Sequence, residues 1–189
     1  MSAGADVELT FLARVAFRGR EITAPRVRGL LALLAGELRG GCSVARLVDG
    51  LWGDRLPADP ANALRILVSR ARAQVGADVV VSTPTGYRLA LAAGQVDVAA
   101  VVRCAEECAR AVRGGDHAGA LAAAEEGLGF WDAAPEAAAV PGDPVAELRA
   151  ARAPLYGDLV RARALALARV GRRALSMPLG SWTVTWPPW

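Results

Sequence analysis

LWGDRLPADPANALRILVSRARAQVGADVVVSTPTGYRLAL, residues 51–91, reads as a turn, one amphipathic helix and a tight hairpin. Within Pro60–Val75, Leu64, Val68, Ala71 and Val75 recur at i, i+4, i+7 and i+11, which places them on one narrow arc of a helix with 3.6 residues per turn. That arc is the expected buried stripe. Asn62, Arg65, Ile66 and Ser69 fall on the opposite side, with Arg70 and Arg72 on its flanks. The outward face thus offers cations, small donors and one apolar group, the composition of a helix that reads DNA.

Arginines on the outside of a helix are more often a plain solvated face, so the neighbouring sequence has to decide. Val79–Ser82 and Tyr87–Leu91 are β-rich runs joined by Thr83, Pro84, Thr85 and Gly86, where proline presets one φ and glycine accepts a positive one. An arginine-bearing helix followed by a two-stranded ribbon is how a winged helix is built. In that reading the helix enters the major groove. Arg88 on the ribbon and Thr85 at its tip reach neighbouring phosphates or the minor groove.

The flanks complete such a domain. Val7, Leu9 and Phe11 alternate with Glu8 and Thr10 as in a strand, and Val15 and Phe17 precede an Arg18-Gly19-Arg20 turn, after which Glu21–Thr23 is extended again. Leucines 30, 31, 33, 34 and 38 predict a helix over Arg26–Leu38, ended by Gly40 and Gly41. Ser43 is positioned to cap a helix over Val44–Leu51. The expected fold is therefore α+β over residues 1–93: a small N-terminal sheet, three helices and a C-terminal hairpin wing. Beyond Gly94 the texture turns to alanine-rich helix. Val96–Val112 and Ala118–Leu128 read as a helical hairpin, Asp132–Pro144 as a loop, and Val145–Ala174 as a further helix kinked before or at Pro154. Residues 94–174 are thus expected to form an all-α domain similar to tetratricopeptide repeats, without a clean 34-residue period.

Charge divides along the same line. All 22 basic residues are arginine, and the net charge is only +3. Residues 1–92 hold 12 Arg against 8 acids, residues 93–150 hold 4 against 10, and the last 39 residues carry +5. A basic block followed by an acidic one fits a nucleic-acid module joined to a module with another task. No run of about 18 apolar residues occurs and MSAGADVELT lacks the regions of a signal peptide, so a cytoplasmic protein without membrane contact is expected. Cys42, Cys104, Cys108 and His117 lack the paired spacing of a structural zinc site, and neither metal nor cofactor is expected. An enzyme is also disfavoured. His117 has no nucleophile beside it, the pairs Glu106–Glu107 and Glu125–Glu126 diverge on their helices, and no G-x-S-x-G, P-loop or G-x-G-x-x-G is present.

RVRGLLALLAGELRGGCSVARLVDGLWGD, PANALRILVSRARAQVGA, VVSTPTGYRL and VDVAAV, in that order, resemble the Streptomyces antibiotic regulatory protein (SARP) family, over residues 7 to about 174. The resemblance implies a response-regulator-type winged helix followed by a bacterial transcriptional activation domain. It implies a pathway-specific activator of an antibiotic gene cluster that binds direct repeats of double-stranded DNA, with a homodimer on the DNA as one arrangement, and recruits RNA polymerase holoenzyme. Asn62, Arg65, Ile66, Ser69, Arg70 and Arg72 would then line the DNA. The loop from Trp52 to Pro60, with Asp54 and Arg55, would face polymerase. SRARAQV departs from the family in placing Ala71 and Ala73 where leucine and a further arginine are usual.

The likeness stops near Leu175. SMPLGSWTVTWPPW follows with three tryptophans, three prolines and no charge, so residues 175–189 are expected to be a divergent tail on a C-terminally truncated or frameshifted product. The competing reading of the whole chain is a TPR-like protein-interaction module whose N-terminal half is only a scaffold. It predicts no salt-dependent DNA binding.

Overall fold

The computed structural model describes residues 7–135 and 140–175. Residues 176–189 of the expected tail and the centre of the Asp132–Pro144 loop lie outside them. The chain begins with a three-stranded antiparallel sheet of short strands in spatial order β1 (Leu9–Thr10), β2 (Ala16–Phe17), β3 (Arg20–Glu21). Phe17 pairs with Arg20 across a two-residue loop in which both Arg18 (φ 47°) and Gly19 (φ 78°) are left-handed. Such a turn matches the natural twist of a hairpin. Arg18 is held there by Glu8 and by the Phe17 ring, 5.0 Å from its guanidinium. Leu9, Phe11, Val15 and Phe17 point into the core, as their alternation requires.

Three helices follow. α1 (Pro25–Gly36) buries Leu30, Leu31 and Leu34 completely. It ends two residues before the expected Leu38, because Glu37 leaves the helical conformation and its carbonyl accepts the Gly41 N–H at 2.8 Å. α2 (Val44–Trp52) is capped by Ser43, whose hydroxyl accepts the Arg46 N–H at 3.2 Å, a contact typically worth about 1 kcal/mol. α3 occupies Pro60–Val75, the span its periodicity predicts, and buries Leu67 in addition to the anticipated stripe. The hairpin is β5 (Val80–Ser82) with β6 (Gly86–Leu89).

A sixth strand, β4 (Cys42–Ser43), adds to β6 on the side away from β5. It was not anticipated, since two residues carry no alternation. It exists because two glycines let backbones meet: Gly41 is left-handed (φ 70°), and a Cβ on Gly86 would lie 2.0 Å from the Cys42 carbonyl oxygen. The expected two-stranded wing is therefore part of a three-stranded sheet with β6 at its centre.

Beyond a 3₁₀ turn at Ala93–Gln95 come α4 (Asp97–Arg113), α5 (His117–Leu128) and α6 (Pro144–Leu175). α4 and α5 fold back on each other across Gly114–Asp116, where Asp116 caps α5 by accepting the Gly119 N–H at 2.8 Å. α6 packs across both, and Gly127 lets it approach closely, since a Cβ there would come within 2.7 Å of Leu159. Pro154 lies inside α6 without dividing it.

The strand-bearing and helical parts share one apolar core running from Leu9 to Ala166. Their joint is polar. Asp97, the first residue of α4, is 1% exposed, and its carboxyl accepts the N–H groups of Phe11 (2.6 Å) and Leu12 (2.8 Å). Arg149 of α6 donates to the carbonyls of Phe11 (2.7 Å) and Ala13 (3.2 Å) in the same loop. Leu9 also bridges to Val96, and Glu8 N–H donates to the Gln95 carbonyl at 2.9 Å. Beside this joint, α6 lies on α1 where Gly29 faces Pro144 and Gly36 faces Leu148.

Burial pushes the Asp97 carboxyl up to about 6 from 3.8, against the opposing pull of the Leu12 and Phe11 amides and Arg149. The folded protein therefore holds this proton more tightly than the unfolded chain, and the resulting stabilisation is full below pH 3.8 and lost as pH rises through 6. Wild type should gain up to about 3 kcal/mol over Asp97→Asn between pH 7 and pH 4. Urea unfolding of both proteins at the two pH values measures this. An equal stability gap at both would mean that Asp97 titrates alike in the folded and unfolded chain.

Candidate nucleic-acid interface

α3 is fixed at both ends. Asp59 accepts the Asn62 N–H at 3.0 Å, Pro60 occupies the first turn, and the chain leaves through Gly76 at φ 105°. Its apolar side locks against α1 and α2. The remaining side presents Asn62, Arg65, Ile66, Ser69 and Arg70 to solvent at i, i+3, i+4, i+7 and i+8, with Ile66 47% exposed. Among the described residues neither Arg65 nor Arg70 enters an ion pair, whereas Arg18, Arg46, Arg103, Arg161 and Arg163 all do. A rigid helix thus holds two uncommitted guanidinium groups, an amide and a hydroxyl along one stripe. Such groups can donate in pairs to guanine or phosphate and to adenine, and Ile66 can meet a thymine methyl.

Arg72 sits differently from the position expected of it. Its Nε donates to the Val80 carbonyl at 2.7 Å, one Nη donates to the Ser82 hydroxyl at 3.2 Å, and the guanidinium lies 6.0 Å from the Tyr87 ring centre. These bonds make it a strut from α3 to the wing sheet. Arg88 is exposed, but the pleat that turns Tyr87 and Leu89 toward α3 turns Arg88 to the other face. The structure therefore does not bring Arg88 together with Arg65 and Arg70. Thr85 is exposed at the hairpin tip, and its carbonyl accepts the Val44 N–H at 3.0 Å, so the tip is tied to the start of α2.

The loop after α2 is anchored at its start by Trp52. Trp52 is half-buried, with the Arg26 guanidinium 5.5 Å from its ring centre, and its carbonyl accepts the Arg55 N–H at 3.0 Å. Asp54, Arg55 and Leu56 are exposed, Leu56 by 57%. Sequence reasoning missed Leu56 as a surface residue. A leucine between an arginine and a proline gives no signal until the loop path is known.

Cys42, Cys104 and Cys108 are buried, and burial raises all three thiols, Cys104 to about 12, so they stay protonated at neutral pH. Among the described residues no three His, Cys, Asp or Glu side chains group as metal ligands, and no helix is long and apolar enough to cross a membrane.

No protein-family model matches the chain. Over 121 residues it is 33% identical to Regulatory protein AfsR of Streptomyces griseus, a match covering 62% of this chain and 12% of that protein. Over 112 residues it is 34% identical to Regulatory protein AfsR of Streptomyces coelicolor, covering 58% of this chain and 11% of the relative. The chain thus matches a small part of the length of these regulators. Mycobacterium tuberculosis EmbR, solved in complex with a low-affinity phosphopeptide, superposes with a TM-score of 0.60 at 19% identity over 90% of this chain and 43% of that one. That likeness is one of fold.

The different placements of Arg70 and Arg72 separate in a stability measurement. Arg72→Ala should lower unfolding free energy by about 1–3 kcal/mol through its lost bonds to the wing, while Arg70→Ala should change it by less than about 0.5 kcal/mol. Denaturant titration of both variants decides. Equal losses would remove the distinction between strut and surface residue.

Proposed function

We propose that this chain is a DNA-binding transcription regulator of the SARP type, acting by occupation of DNA rather than by catalysis. The observation that carries the reading is the α3 stripe: Arg65 and Arg70 without a partner among the described residues, in one row with Asn62, Ile66 and Ser69, on a helix fixed at both ends. The similarity to two proteins named as regulators supports it. Arginine and backbone contacts to phosphate supply salt-sensitive affinity, and side chains reaching base edges supply discrimination of roughly 1–3 kcal/mol for each good pair. Arg72 acts in this reading as a positioning residue that sets the angle between α3 and wing. Thr85 and Arg88 contact backbone phosphates outside the groove that α3 occupies.

The finer features follow from the family resemblance. Protomers sit on direct repeats of double-stranded DNA near a promoter. The loop anchored by Trp52 presents Asp54, Arg55 and Leu56 to RNA polymerase, and the output is a secondary-metabolite gene cluster of the antibiotic type. Division of the chain into a DNA-binding part, residues 1–93, and an activation part, residues 94–174, belongs to the same proposal.

Fluorescence anisotropy on duplexes from the promoters beside its own gene, against a shuffled duplex, tests DNA binding. Arg70→Ala should weaken binding and reduce the slope of log affinity against log salt by about one. Arg65→Ala should erode the preference for the promoter duplex by about 5- to 150-fold, equivalent to about 1–3 kcal/mol. Wild-type affinity and slope in the folded double variant would overturn the reading in favour of a protein-interaction module. Replacing Asp54, Arg55 and Leu56 together by alanine should leave DNA affinity unchanged and abolish activation in a transcription assay with purified polymerase. Retained activation would remove the loop from the proposed polymerase contact.

A further inference from the structure

Where α1 begins beside the second half of α3, the surface opens into a pit of about 390 Å³. Val27 and Leu67, both buried, form its floor, and Pro25 and Ala73 line its walls. The volume exists because Ala73 ends at its Cβ; a longer side chain at that exposed position would occupy it. Sites for small molecules typically enclose about 300–1,000 Å³ and combine an apolar lining with a few polar groups. Here the polar lining consists of Arg26, Arg70 and Gln74.

The charge of the lining has one sign. No aspartate or glutamate lines the pit, and among the described residues neither Arg26 nor Arg70 enters an ion pair. Arg26 lies with its guanidinium 5.5 Å from the Trp52 ring centre, a contact that uses the aromatic face and leaves N–H donors available. A cationic ligand finds no partner in such a lining, and a neutral one leaves both guanidinium groups unused. A small anion such as phosphate would meet the arginines but would leave the apolar floor wet. A flat hydrocarbon ring bearing a carboxylate satisfies both parts, because guanidinium groups pair with carboxylates through two parallel hydrogen bonds.

We propose that the pit between α1 and α3 binds an aromatic carboxylic acid, its ring on Val27, Leu67 and Ala73 and its carboxylate on Arg70 and Arg26. The bound acid takes Arg70 away from DNA. The site stands apart from the DNA-binding reading, whereas its effect on DNA rests on it. Gln74, half-buried at the edge, supplies an amide that can donate to the second carboxylate oxygen.

The test uses the full chain and naphthoate as probe, with naphthamide as the neutral control and acetate as the control without a ring. In nitrogen–proton correlation spectra, naphthoate should shift the amides of Val27, Ala73 and Gln74 saturably, with a Kd of about 1 mM or tighter. Naphthamide and acetate should each bind at least about tenfold more weakly. Ala73→Phe should fill the pit and weaken naphthoate by at least about tenfold with helical circular dichroism unchanged, and Arg70→Gln should reduce naphthoate to the level of naphthamide. On the promoter duplex, naphthoate at about ten times its Kd should weaken wild-type binding about tenfold, by mass action, and leave the affinity of Ala73→Phe as it is without the probe. Acetate at the same concentration controls for ionic strength. Shifts that do not saturate, that naphthamide reproduces equally, or that persist in Ala73→Phe would overturn the site. A wild-type duplex affinity indifferent to naphthoate would overturn the competition for Arg70. If wild type binds no duplex, the DNA reading fails and the competition with it, while the spectra still decide the pit.

Discussion

A carboxyl group taken out of water at the start of α4 holds the two parts of this protein in one geometry. Asp97 receives the Phe11 and Leu12 amides, and Arg149 closes over the neighbouring carbonyls from α6. The loop after β1 has no ladder partner for these groups. Without Asp97 and Arg149 several backbone dipoles would be buried unpaired, at a cost of about 1–3 kcal/mol for each. The same carboxyl sits at a helix N-terminus, where backbone N–H groups favour negative charge. Desolvation outweighs this help, which is why the proton is held more tightly than usual.

From that joint the order of the rest follows. α6 is brought onto α1, α1 backs α3, and the outer stripe of α3 gains a fixed orientation. Arg72 adds the second restraint, from α3 to the wing. A reading helix needs both, because base-edge contacts tolerate little error in side-chain position. Among the described residues Arg65 and Arg70 make no side-chain bond, while Arg72, Arg149 and Arg152 are spent on internal carbonyls and Arg103 on carboxylates. The same residue type therefore serves as surface, strut and joint within one chain.

Much of this was legible before any coordinates. α3 was read correctly at both ends because Asp59-Pro60 and Gly76 are strong punctuation and the apolar stripe is long. Ser43 declared itself by position before an apolar run, and the α4–α5 hairpin by Gly114-Gly115-Asp116. β4 was not legible, since its pairing rests on two missing Cβ atoms rather than on any pattern. The surface role expected of Arg72 came from the wheel alone. A helical wheel cannot show that a sheet stands beside the helix and captures one flank. For Arg88 the exposure follows from the sequence, but the face it occupies depends on where β6 pairs. The roles of Asp97 and Arg149 carry no local signal, because their partners are 86 and 138 residues away.

That separation has a consequence for the order in which contacts form. β1 pairs with β2 through a local hairpin, whereas the bonds from Asp97 and Arg149 to the loop after β1 close separations of 86 and 138 residues, and contacts so distant in sequence form slowly. The strand is therefore made early and secured late, when α4 and α6 reach it.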